Sequence, residues 1–410
     1  MIFLKPEEHH WMDSLNIKKL FKAFPEETIR FVGGCVRNAL LGFEVSDIDL
    51  ATQLKPNEVK KCLENAGIKY LTTGIKHGTI TAVIEKNTFE ITSLRSDFNT
   101  DGRHAEVIFK SNWEVDAQRR DFTINALYAN FKGQVFDPTG KGLKDLRPVK
   151  ISFVGNPENR IREDYLRIIR YFRFLSCYGT KDSVNPETLS VIKANLEGLS
   201  RLSPERLWME LKNLLSANSV FHALYLMEST GVLKYILPEL KGVSGLKKLE
   251  DLERSNTISV DPLLRIMTLI HRDIKKVNTL CDRLRMSSKE TKRLQLWSTS
   301  QYEVQKDMLN IDIMNFIYKE GHQVFFDRCT YDITSQDEYN KYHDLKLLIK
   351  SSQKIKIPIF PVKGRDLKSI GITPGPQMGL MLNALETIWI ESGFESTREN
   401  LLQFAKGLEY

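Results

Sequence analysis

The sequence predicts an α+β domain at the N-terminal end followed by an all-α remainder. Three observations carry this reading. Over the first 150 residues, short runs alternating apolar and polar side chains are interleaved with runs of helical spacing. After Asn156-Pro157 the alternation becomes rare and long stretches of helical periodicity take over. The chain, at 410 residues, exceeds one ordinary domain and suggests two to four.

Taken in order, TIRFVGG (28–34) is an apolar strand that ends in glycines. VRNALLG (36–42) has helical spacing and a terminal glycine. SDIDLAT (46–52) alternates as a strand, and KPNEVKKCLENAG (55–67) is a helix closed by glycine. GTITAVIEKNTFEITSLR (78–95) gives two alternating runs joined by a Glu-Lys-Asn turn, which is a hairpin. DFNTDGRHAEVIFK (97–110) begins as a polar loop. FTINALYAN (122–130) reads as helix, and QVFDPTGKGLKDL (134–146) as a strand followed by a loop. Beyond 156, helices are expected over EDYLRIIRYFRFLSCYG, SPERLWMELKNLLS, VFHALYLMESTGVLKYIL and DPLLRIMTLIHR, and 351–364 is an extended linker before a last helical unit.

Composition narrows the function classes. Five scattered cysteines, none at CxxC spacing, argue against a disulfide framework and a zinc site and fit a reducing interior. The N-terminus has neither a signal-peptide core nor transit-peptide character. No run approaches the ~18 apolar residues of a membrane span. A cytoplasmic protein without membrane contact is therefore expected. The net charge of +7 suits a polyanionic partner.

The stretch FVGGCVRNALLGFEVSDIDLAT (31–52) carries the chemistry. On one strand, residues two apart share a face, so Asp47 and Asp49 project together about 6.6–7 Å apart. Such a pair is tolerated if solvated or if a divalent cation sits between the carboxylates. Mg²⁺ takes one or two carboxylates plus substrate phosphates, and paired ions stabilise attacking and leaving oxygens in nucleotidyl transfer. Gly33 and Gly34 let the backbone turn close to a ligand, the following helix start favours an anion, and Arg37 adds a fixed fork. No GxxxxGK[ST] is present, so a P-loop enzyme is disfavoured.

GGCVRNALLG…SDIDLAT resembles the first motif of the class II tRNA nucleotidyltransferase and poly(A) polymerase family, within the polymerase β-like nucleotidyltransferases. The family usually carries Asp where this chain has Asn38, which keeps the hydrogen-bonding shape and loses a charge. The resemblance implies a polymerase β-like head with a small mixed sheet (1–150), then an all-α neck (151–216), body (217–350) and tail (351–410). It also implies Mg²⁺ on Asp47 and Asp49, and Gly34 and Arg37 on the triphosphate.

A second run, RIREDYLRIIRYFRF (160–174), places Asp164, Arg167, Arg170 and Arg173 three apart as a stripe on one helix, with Ile168, Ile169, Phe172 and Phe174 toward the core. This is either a solvated face of ion pairs or a reader of a base. An acid beside an arginine matches the amine and ring-nitrogen edge of cytosine or adenine. It opposes uracil and guanine, because each buried polar group left unpaired costs about 1–3 kcal/mol. EDYLR resembles the family's EDxxR motif, which implies that Asp164 and Arg167 act as a protein template for CTP and ATP, with Arg170 and Arg173 as further nucleotide contacts. RRDFTINALY (119–128) resembles the ribose-recognition motif, with Arg120 on the nucleotide and Asp121 near the ribose. LSPERLWMEL (202–211) resembles the helix-stabilising motif, with Ser203 as N-cap and Pro204 in the first turn. Glu90 is either a third carboxylate or a strand-edge surface residue. The family's flexible loop falls on Ser96 to Arg103 and shows no deletion, which favours full CCA addition. His77 matches the family and is assigned a structural role. Residues 360–393 resemble the tail of bacterial and mitochondrial-type enzymes, with Thr373-Pro374 opening a helix.

The resulting expectation is an enzyme, monomer or homodimer, that adds or repairs the 3′-terminal CCA of tRNA from CTP and ATP without a nucleic-acid template. The rivals are a poly(A) polymerase, a CC-only or A-only enzyme, and a catalytically silent RNA-binding protein on the same scaffold.

Overall fold

The computed structural model describes residues 2–98, 106–109, 111–305, 308–335 and 347–407. It divides into two compact units, Met1–Leu240 with Arg283–Arg285, and Lys241–Asp282 with Met286–Tyr410.

The first unit opens with α1 (Leu15–Lys22), capped by Ser14, whose hydroxyl accepts from the Ile17 amide at 3.4 Å. Then follow β1 (Ile29–Val32), α2 (Gly34–Leu41), β2 (Asp49–Thr52), α3 (Pro56–Asn65), β3 (Lys69–Leu71), β4 (Thr79–Ile84), β5 (Asn87–Ser93), β6 (Arg95–Phe98), β7 (Glu106–Phe109), α4 (Trp113–Gln118), β8 (Tyr128–Ala129), β9 (Val135–Phe136) and α5 (Gly142–Leu146). Seven strands form one sheet in the order β3-β4-β5-β2-β1-β8-β9. Only β2 and β5 run parallel, so the sheet is mixed, as expected. The alternation in TITAVI is real: Ile80, Ala82 and Ile84 are buried, and the residues between them are half-buried. The β4–β5 turn has Glu85 at φ 55, as a two-residue hairpin requires. Val32, Ala51, Leu94, Trp113, Ala117, Ala126, Tyr128 and Val154 form a core cluster that ties α4 to the sheet.

Three segments differ from the sequence expectation. Residues 122–130 form a short 3-10 turn (Thr123–Asn125) and the strand β8, not a helix. Phe122, Ile124 and Ala126 to Ala129 are all fully buried, so no polar face marks the period, and pairing of Tyr128 with Val32 decides for strand. The 97–110 segment is not loop at its start: β6 and β7 pair as a hairpin, and residues 99–105 between them, with most of the expected flexible loop, lie outside the described residues. The 134–146 loop ends in the helix α5.

Helices then take over: α6 (Pro157–Glu163), α7 (Leu166–Tyr178), α8 (Pro186–Ala194) and α9 (Pro204–Leu215). The expected single helix over 160–174 is broken. Asp164 is extended (φ −156, ψ 104), and its Oδ1 accepts from the Leu166 amide at 3.2 Å. A short acid that satisfies the first amides of α7 caps a new helix in preference to continuing the old one. Ser203 occupies the N-cap position of α9 and Pro204 its first turn, as expected, although the Ser203 hydroxyl does not cap.

The named elements of the second unit among the described residues are all helices. Arg265, fully buried, pairs with Glu253 at 2.5 Å. Residues 362–405 form a separate cluster around Leu367, Leu385 and Trp389. The helix there starts at Pro376 after Gly375, not at Thr373-Pro374. Gly375 at φ 157 admits the sharp entry, and the second proline supplies the first turn. No helix among the described residues is long and apolar enough to cross a membrane.

Candidate active site

The strand β1 ends at Val32, and the chain turns through Gly33 at φ 71, a left-handed conformation that glycine alone adopts without strain. A Cβ on Gly33 would sit 3.4 Å from Arg120 Nη1, and one on Gly34 would sit 3.7 Å from Arg37 Nη2. The glycine turn thus lies against two guanidinium groups. Arg37 is buried. Its donors reach Asn125 Oδ1, Asn38 Oδ1 (2.8 and 3.1 Å) and Tyr178 Oη (2.6 Å), and its guanidinium stacks 4.4 Å from the Tyr178 ring. Every one of these acceptors is neutral. Burial lowers the Arg37 pKa, but a guanidinium stays protonated, so a positive charge remains beside the glycine turn. Asn38 matters here: an Asp would accept the same bonds and cancel that charge. Arg120 is held differently, by Asp116 (3.1 Å) and the Tyr128 hydroxyl.

Asp49 is the first residue of β2, whereas Asp47 lies in the connection before it. The expectation that both sit on one strand therefore fails. Residues 43–48 carry no ladder partner, and pairing begins only where Asp49 meets Glu90 of β5. That register places Glu90 directly beside Asp49, and β5 is an interior strand, not an edge. Asp47, Asp49 and Glu90 still converge, because all three line one cavity of about 690 Å³. The Asp49 side chain is exposed toward the cavity, and partial desolvation by the surrounding protein is the largest cause that raises its pKa above the usual carboxylate range. Glu90 and Asp47 add to it, and Arg120 opposes it. None of the three carboxylates forms an ion pair among the described residues. No group of three His, Cys, Asp or Glu among them is arranged as a ready-made metal cluster. The site fits a cation that takes two carboxylates and draws its other ligands from substrate and water.

The neck arginines are engaged with protein groups. Asp164 pairs with Arg206 at 2.7 Å. Arg167 donates to Glu163 (2.7 Å) and to the Arg160 carbonyl (2.8 Å). Arg170 holds Asp121 at 2.6 Å and lies 3.8 Å from Glu210, which also pairs with Arg173. The expected stripe is therefore two things: Arg167, Arg170 and Arg173 project from α7, and Asp164 sits in the α6–α7 break. Asp121 is buried. Burial alone would raise its pKa, but Arg170, Asn125 and the Phe122 amide hold it well below the usual range.

Sequence reading missed Asp116, Asn125, Tyr178 and Glu210. Asp116 had a signal, since Arg119 and Arg120 follow it at helical i+3 and i+4. Tyr178 and Glu210 reach their partners across helices and had none.

The family model described as the poly A polymerase head domain matches residues 29–152, and the one described as a probable RNA and SrmB-binding site of polymerase A matches 183–243. The chain is 36% identical to the human protein named CCA tRNA nucleotidyltransferase 1, mitochondrial, over 98% of its own length and 92% of the relative's. It is 31% identical to the CCA-adding enzyme of Ligilactobacillus salivarius, over 92% of each. Among solved structures, the Bacillus stearothermophilus CCA-adding enzyme in complex with CTP superposes with a TM-score of 0.74 at 25% identity, covering 98% of both chains.

Proposed function

The chain belongs to the CCA tRNA nucleotidyltransferase family, and on that premise we infer that it is a template-independent enzyme that adds or repairs the 3′-terminal CCA of tRNA, using CTP and ATP. The observation that carries this is the meeting of a charged glycine turn with unpaired carboxylates in one head.

In this reading the Gly34 amide, with Arg37 and Arg120, holds the triphosphate, while the Gly33 amide donates to the Leu127 carbonyl at 3.0 Å. Asp47 and Asp49, with Glu90 beside them, would hold Mg²⁺. Bound there, Mg²⁺ would neutralise charge that develops on the reacting phosphate. The 3′-hydroxyl oxygen of the RNA attacks the α-phosphorus. The bond to the β-phosphate oxygen breaks, pyrophosphate leaves with that electron pair, and the hydroxyl proton passes to solvent. Asp164 and Arg167 select the base once their bonds to Arg206 and Glu163 are exchanged for bonds to cytosine or adenine. Arg170 and Arg173, tied to Asp121 and Glu210, keep the neck helix facing the nucleotide. The division into head, neck, body and tail, and the cytoplasmic location expected from sequence, belong to this proposal; the human relative is named as mitochondrial.

The test is extension of end-labelled tRNA lacking CCA with both nucleotides supplied. Three defined additions are expected, two with CTP alone. A long A tail or a product that stops after one nucleotide class would overturn the reading.

A further inference from the structure

We propose that Tyr178 is a positioning residue that ties base selection to the grip on the triphosphate, acting through Arg37. This rests on the proposed nucleotidyl transfer and adds the contact by which a correct base at one end of α7 is felt at the phosphates.

Arg170, Phe174 and Tyr178 are spaced four apart and so share one side of α7. That side meets Arg37 of α2. The Arg37 guanidinium lies 5.1 Å from the Phe174 ring centre and 4.4 Å from that of Tyr178, and its Nη2 donates to the Tyr178 hydroxyl at 2.6 Å. Arg170 reaches Arg37 through two other side chains. Arg170 Nη2 donates to Asp121 Oδ2 at 2.6 Å, Asn125 Nδ2 donates to Asp121 Oδ1 at 2.9 Å, and Asn125 Oδ1 accepts from Arg37 Nη1. The helix thus holds Arg37 from two points, one direct and one relayed.

The Tyr178 hydroxyl works as acceptor and donor together. It accepts from Arg37 and donates to Asn38 Oδ1 at 3.1 Å, and Asn38 Oδ1 accepts in turn from Arg37 Nε and Nη2 at 3.1 and 2.8 Å. Asn38 Nδ2 donates to the Glu44 carbonyl at 3.1 Å, so a flipped amide would set oxygen against oxygen. An aspartate at position 38 would meet that carbonyl with no proton to offer. Phe43 packs edge-on against the Tyr178 ring at 5.6 Å and supports it beneath the guanidinium. A neutral hydroxyl suits this position: it orients the guanidinium and leaves its charge for the phosphates.

Base and triphosphate are handled at opposite ends of one rod. Arg167 lies in the first turn of α7, and Tyr178 is its last residue, about 16–17 Å further along the axis. Ile168, Ile169, Tyr171 and Phe172 between them are fully buried, so α7 shifts as one packed piece. Asp164 and Arg167 are bound to Arg206 and Glu163. A base that takes over these bonds resets the start of α7, and Tyr178 passes the change to Arg37.

Steady-state CMP transfer by the full-length enzyme, varied separately in CTP and in tRNA, tests this with Tyr178→Phe in the parent and in the Asp164→Ala background. Phenylalanine keeps the ring beneath Arg37 and removes the hydroxyl. In the parent, KM for CTP should rise about tenfold, the loss of one hydrogen bond to a charged group, and KM for tRNA should stay within about twofold. In Asp164→Ala, where the base no longer sets α7, the same change should move KM for CTP by less than about twofold, so the two substitutions are not additive. An equal rise in both backgrounds would mean that the hydroxyl only packs, and would overturn the coupling. So would a KM for CTP at the parent level in Tyr178→Phe. If the wild-type enzyme transfers no CMP to tRNA lacking CCA, the proposed function falls; if it does and the substitutions add, only the coupling falls.

Discussion

Asp49 is where function and stability oppose each other. Its side chain is exposed, yet partial desolvation, Glu90 and Asp47 raise its pKa, so the fold mildly disfavours its charged form. For a carboxylate raised in the folded state, stability is lowest when the group is ionised, and it is regained as pH falls through the folded pKa toward the unfolded one. Asp49→Asn should therefore raise the melting temperature of the metal-free protein at neutral pH while it abolishes incorporation. Calorimetry beside an incorporation assay checks both. The same shift predicts that the acid limb of kcat/KM for CTP lies above the pH of an ordinary aspartate and moves to lower pH as Mg²⁺ is raised. Arg37 makes the complementary case: Arg37→Lys keeps the charge and loses the fork to Asn38, Asn125 and Tyr178, and KM for CTP should rise about tenfold, the cost of one charge-assisted bond. These residues were legible in sequence because their chemistry is local: a glycine pair and two aspartates within one short segment. The partner of Asp164 was not, because Arg206 lies 42 positions away and only the packing of α7 on α9 brings it near.

At the scale of elements, the break between α6 and α7 sets where Asp164, proposed to select the base, sits relative to Arg167. Tyr165, the residue after Asp164, lies against Gly198, where an added Cβ would fall 1.8 Å from the ring Cε1, and Arg201 sits 5.7 Å from its centroid. Gly198→Ala should cost about 1–3 kcal/mol as an overpacked site, and Tyr165→Ala in the same chain should restore most of it; urea midpoints of the single and double variants decide. Asp164→Ala should admit UTP and GTP that the parent excludes, read by single-nucleotide extension. Periodicity showed that helix occupies this region and could not show the break, since a capping aspartate and a helical aspartate look alike until the next amide is placed. It misread 122–130 for a related reason: a segment buried on every side has no face to reveal its period.

At the scale of the whole molecule, the change from mixed sheet to helices was visible in the loss of alternation after residue 156, whereas the boundary between the compact units, near Leu240, falls within helical sequence that shows no shift in character. A net charge of +7 on a chain that handles a polyanion predicts that KM for tRNA climbs steeply with salt while KM for CTP changes little. All of this serves one claim, that two neighbouring aspartates hold the metal that drives transfer to RNA. Incorporation of labelled CMP into tRNA lacking CCA, by wild type and by Asp49→Ala under saturating Mg²⁺, tests it most directly. The claim predicts a loss of at least about a thousandfold, the several kcal/mol that a catalytic ion supplies; incorporation by the variant at the wild-type rate would contradict it.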